Sequence, residues 1–72
     1  MDAQAKQQKA ALKIRQAAET SLSVRHSIVD AYGSYLQNAK FNDDYARQRY
    51  KIILGEAKLL VTELEGVVKE LS

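Results

Sequence analysis

The sequence predicts an all-α fold: a two-helix antiparallel hairpin, with helices at about 3–39 and 43–71, completed by homo-oligomerisation into a helical bundle. Three observations carry this expectation. The chain contains no proline, so nothing in it forbids helix, and Ala, Gln, Lys, Leu and Glu dominate it, all good helix formers. Apolar residues recur at heptad spacing along two long stretches. The single clear break is Asn38-Ala39-Lys40-Phe41-Asn42-Asp43-Asp44.

In the first helix, Ile14, Ala17, Ser21, Val24, Ile28, Ala31 and Tyr35 form a seam at alternating spacings of three and four. Leu22, Val29 and Leu36 form another row about 100° further round the helix. Together the rows span an apolar arc of roughly 160°, wider than the 100° or so that one packed neighbour covers. Small residues (Ala10, Ala17, Thr20, Ser27, Ala31 and Ser34) gather along one edge, where they permit close backbone approach. Gly33 and Gly55 either extend that approach or are merely tolerated, at about 1 kcal/mol against alanine.

At the break, Asn42 or Asp43 suits the N-cap of the second helix, because its side-chain oxygen can accept the free backbone N–H groups of the first turn. Asp43 and Asp44 also suit the positive end of the helix dipole. Within this helix Tyr50, Ile53, Ala57, Leu60, Leu64, Val67 and Leu71 make an unbroken heptad seam, widened by Leu54, Val61 and Val68. Glu56, Glu63 and Glu70 recur every seven residues on one flank, placed to meet basic groups on a neighbour. Ile52 and Leu59 lie on the far side from the seam.

A hairpin turning near residue 41 sets position i opposite roughly 82 − i. Residues 1–10 then overhang as a polar helix start that frays unless it touches something, within what is otherwise one domain over 1–72. The same register brings Arg25 near Glu56, an expected partly buried ion pair.

With 72 residues the chain buries only about 60% of its unfolded surface, and domains of this size are marginal without disulfides, a metal or a partner chain. It has no cysteine and one histidine, His26, which excludes disulfides and leaves no metal-ligand set. A partner chain is what remains. Helix 2 of the same hairpin can cover one row of the wide apolar arc, so the other row must meet a second chain. Leu22, Val29 and Leu36 are therefore the expected self-interface, with Ile52 and Leu59 next. A dimer is the simplest closed assembly, and higher orders are compatible with the same pattern.

No apolar run approaches the roughly 20 residues of a membrane span, and the polar first residues do not read as a secretory signal, so a cytoplasmic protein away from membranes is expected. Nothing in the chain calls for a cofactor. No catalytic constellation is present: no His-Glu-x-x-His, no glycine-rich phosphate loop, no cysteine nucleophile. The serines around His26 fall on neighbouring helix faces rather than in a triad.

Net charge is +2, with the excess in the first half. Lys6, Lys9 and Lys13 form a stripe at helical spacing, and Arg47, Arg49 and Lys51 cluster beside Tyr45; both are candidate anion-binding sites. Their plainer readings are a solvated face and the aromatic end of a core. The expected function is thus a small non-enzymatic oligomeric interaction protein, an adaptor, inhibitor or structural subunit, with a protein partner. The alternative is an oligomer that binds RNA, DNA or a phosphorylated nucleotide through its basic and tyrosine residues.

Overall fold

A computed structural model describes residues 2–37, 40 and 42–72 of the chain. Two α-helices, α1 (Asp2–Gln37) and α2 (Asp43–Leu71), pack side by side as an antiparallel hairpin. The expected end of helix 1 at residue 39 lies outside the described residues, as do Asn38, Ala39 and Phe41 of the break. No helix is long and apolar enough to cross a membrane among the described residues.

The start of α2 follows from its first side chain. Asn42 holds an extended backbone (φ −77°, ψ 178°), and its Oδ1 accepts a hydrogen bond from the Tyr45 backbone N–H at 3.0 Å. Asp43 and Asp44 occupy the first turn, where the helix dipole is positive. At the other end the Ser72 backbone N–H donates to the Val68 carbonyl at 3.1 Å, and Lys69 stands in the negative last turn. Tyr35 Oη donates to Asp43 Oδ1 at 2.7 Å, which ties the end of α1 to the start of α2.

The α1 side of the seam is built largely from small residues. Ala10, Ala17, Val24 and Ala31, each seven residues from the next, are buried on α1, and Ala31 is only 1% exposed. Ala46 and Ile53 are buried on α2, and Leu60 and Val67 continue their row half-buried. The second row of the seam is polar. Lys13, Thr20, Ser27 and Ser34 on α1 are half-buried, as are Arg49, Glu56, Glu63 and Glu70 on α2.

Half of each expected seam therefore holds and half does not. Ala17, Val24 and Ala31, with Ile53, Leu60 and Val67, face the partner helix as the heptads require. Ile14, Ile28, Tyr35, Tyr50, Leu64 and Leu71 do not: all are exposed. Both helices are turned by about 50° from the expected orientation, at 100° per residue, so that the small-residue edge becomes the contact. The physical reason is the small-residue row of α1. Alanine, serine and threonine on the α1 side leave space at the contact, which Ile53, Leu60 and Val67 of α2 fill.

The register agrees with expectation to within about one residue: Lys13 Nζ meets Glu70 Oε2 at 3.2 Å across the helices. The expected Arg25–Glu56 pair is not formed. Arg25 is exposed, one row away from the contact, while Glu56 is half-buried in it.

The hairpin measures 58 × 15 × 10 Å, with a radius of gyration of 16.7 Å against about 11 Å for a globular chain of this length. It exposes 5949 Å², about a third more than the roughly 4,500 Å² typical of a monomer of 8.1 kDa.

Gly33, Gly55 and Gly66 lie inside helices without positive φ, and a Cβ at any of them would meet nothing within 4 Å. Close approach of the two helices does not require them. Gly55→Ala should raise the urea midpoint, a gain of about 1 kcal/mol from helix propensity alone. Ala31→Leu should do the reverse, costing about 1–3 kcal/mol by overpacking the seam. A Gly55→Ala protein that melts lower than the parent would place that glycine against a neighbouring chain.

Candidate interaction surface

An antiparallel pair has two long sides, one on each flank of its seam. Here they differ in chemistry. On one side the half-buried polar rows face each other: Lys13, Thr20, Ser27 and Ser34 against Arg49, Glu56, Glu63 and Glu70. The Lys13–Glu70 ion pair closes one end of this polar groove. The hydrogen bond from Lys13 holds the Glu70 carboxyl below its ordinary range; partial burial opposes this, and the charges of Lys13, Lys9 and Lys6 reinforce it. Further along, Glu63 Oε1 is shielded from solvent with no hydrogen-bond partner among the described residues.

The other side is apolar on both helices. Ile14, Ile28, Tyr32 and Tyr35 of α1 lie beside Tyr50, Leu54, Val61, Leu64, Val68 and Leu71 of α2, and all are exposed. Their grouping follows from helix geometry. Residues four and one positions after each buried seam residue lie 40° and 100° round the helix, and antiparallel helices turn these rows to the same flank. A depression of about 200 Å³ marks this flank directly, lined by Ile14, Ala17, Ala18 and Ser21 from α1 and by Leu60, Leu64 and Val67 from α2. Tyr32, Tyr35 and Tyr50 stand at the turn end of the same face. The hydrogen bond from Tyr35 to Asp43, the aspartate charge and desolvation all raise the Tyr35 pKa above its usual value.

The five residues expected at a self-interface are all exposed, between 56% and 65%. They do not share one face. Leu22, Val29 and Leu36 border the apolar side along the outer edge of α1. Ile52 and Leu59 lie on α2 about 160° from the exposed Leu54–Val61–Val68 row, towards the polar side.

The candidate anion sites are not assembled as the sequence suggested. Lys13 is committed to Glu70, and Lys6 and Lys9 stand close enough to lower the pKa of the same carboxyl. Arg47 Nη1 pairs with Asp44 Oδ1 at 3.3 Å. Arg49 belongs to the polar groove, about 160° round α2 from both Arg47 and Lys51, so the three do not converge. Tyr45 and Arg49 do share a shallow surface groove with Gln48 and Ile52. His26 is exposed, and no three His, Cys, Asp or Glu side chains are grouped as metal ligands among the described residues.

Sequence reasoning missed the continuous apolar side. Its signal was present: rows four and one residues after the buried row are apolar in both helices except at Ser21, Arg25 and Arg47, and only the antiparallel arrangement unites them. No protein-family model, curated protein or solved structure matches the chain.

The ion pair sets a pH response. The Glu70 pKa is lowered on folding from its ordinary 4.5, so the pair's contribution is fully present above that value and is lost as pH falls through the folded value. Glu70→Gln should therefore flatten the acid limb of a plot of melting temperature against pH while leaving its alkaline limb unchanged. Tyr35→Phe should act on the opposite limb: the raised phenol contributes below pH 10.0 and its contact is lost above it.

Proposed function

We propose that the protein is a small, non-enzymatic interaction protein, an adaptor, inhibitor or structural subunit, that works as a homo-oligomer through its helical surface. The observation that supports this reading is the apolar side of the hairpin. Contiguous exposed apolar patches beyond a few hundred Å² are rare on monomeric proteins and mark interaction sites. Here the patch runs along both helices, and the chain exposes roughly 1,400 Å² more than a typical monomer of its mass. A standard specific interface buries about 800 Å² per partner, so one interface of ordinary size fits within that excess.

The interior makes the same demand. Among the described residues, the buried ones apart from Val24 and Ile53 are all alanine, and alanine contributes little apolar area. At about 25 cal/mol per Å² such a seam supplies little to set against the ordering of 72 residues. Covering the apolar side supplies what the seam lacks.

Native mass spectrometry of untagged protein tests the reading. The expected species is an integer multiple of 8.1 kDa with no added mass. Val61→Lys, in the middle of the apolar side, should raise the dissociation constant roughly a hundredfold or more, because a charge would be buried without a partner. Leu36→Lys, at its edge, should have a smaller effect of the same sign. A monomer at about 50 µM overturns the proposal. A retained mass of several hundred daltons with raised 260 nm absorbance would point instead to a phosphorylated ligand at the basic residues.

A further inference from the structure

We infer that the apolar side binds a second copy of this chain with its turn at the opposite end, about a two-fold axis crossing α1 near Ser21 and α2 near Val61. The inference rests on the homo-oligomer reading above and adds its geometry. Two facts about the face carry it: reversed upon themselves, the outward rows of α1 set alanine against a larger side chain and those of α2 set Lys58 against Glu65, and the two sets of pairings have nearly the same centre.

Face-to-face packing with turns at opposite ends lays α1 on the partner's α1 and α2 on the partner's α2. On α1, the row at seven-residue spacing facing outward from the apolar side reads Ala11, Ala18, Arg25, Tyr32. Reversed upon itself, it sets each alanine against a large side chain: Ala11 against the partner's Tyr32, and Ala18 against the aliphatic stem of the partner's Arg25. The neighbouring row sets Ile14 against the partner's Ile28, with Ser21 on the axis. On α2, Leu54 meets the partner's Val68, Ala57 meets the partner's Leu64, and Lys58 at the rim meets the partner's Glu65.

The α1 pairings centre between residues 21 and 22, and the α2 pairings centre near residue 61. Positions 21 and 61 are opposite each other in the hairpin register fixed at one end by Lys13 and Glu70. A single axis therefore satisfies both helices, although the two rows come from separate stretches of sequence. Neighbouring registers fail on charge. A shift of half a heptad one way puts Arg25 on Arg25 and Lys58 on Lys58; a shift the other way puts Glu65 on Glu65. Turns at the same end would crowd the Tyr32, Tyr35 and Tyr50 side chains of both copies together and leave the alanine ends without large partners.

Cysteine cross-linking tests the geometry, because the native chain has no cysteine. Ala11→Cys and Tyr32→Cys chains, mixed and mildly oxidised, should give mixed disulfide dimers, while neither variant should link to itself. In a dimer with both turns at one end, those positions are about 31 Å apart and cannot link. A charge exchange checks the rim: Lys58→Glu should raise the dimer dissociation constant roughly tenfold, and adding Glu65→Lys should restore it. A dimer that gives no Ala11–Tyr32 link, or whose charge exchange is not rescued, overturns this geometry and leaves the oligomer reading standing. A chain that stays monomeric at about 50 µM overturns both.

Discussion

The constraint on which the rest of the structure depends is the alanine-rich row that α1 turns towards α2. Ala10, Ala17 and Ala31 present almost no side chain, and Ile53, Leu60 and Val67 of α2 occupy the space they leave. That contact takes one row of larger side chains from α2, and Tyr35, Tyr50 and Leu64 fall outside it. Those side chains must go to a flank. The shape of the molecule, the thinness of its core and the character of both its sides follow from this one choice.

The flanks divide the polar and apolar residues between them. On the polar side, carboxylates and hydroxyls half-buried beside the seam find charge partners at least at one end, where Lys13 and Glu70 join. Exposed and half-buried ion pairs of this kind add little stability on their own, but they fix how the helices line up. Tyr35 and Asp43 do the same at the turn. An alanine seam is nearly featureless along its length, and one heptad of it resembles the next. Polar contacts at its two ends, with a short turn, hold it in one register.

Much of this was legible in the sequence. The absence of proline, the composition and the single break at 38–44 yield two helices, and the capping chemistry of Asn42 places the start of the second. The antiparallel register follows from the length of the turn. The rotation of the helices about their axes was not legible, because three adjacent rows in each helix can face a neighbour. Sequence patterning favours the rows with the largest apolar residues. The hairpin instead buries the alanine-rich row of α1 against Ile53, Leu60 and Val67 of α2. Leu64 and Tyr50 are thereby turned outward, and Glu56 and Glu63 inward. The same turn explains Arg25, whose level along the hairpin was right and whose row was not. It also explains the candidate interface residues: all five are exposed, but Ile52 and Leu59 fall on a different side from Leu22, Val29 and Leu36. Grouping surface residues requires knowing which row is the seam.

A seam made largely of alanine leaves little apolar area inside the hairpin and much of it on one side. In the homo-oligomer proposed above, the copy that covers this side would contribute to stability as the logarithm of its concentration relative to its dissociation constant. Dilution would then act on this molecule as a denaturant does on a better-filled domain, and abundance, rather than temperature alone, would set whether the hairpin persists.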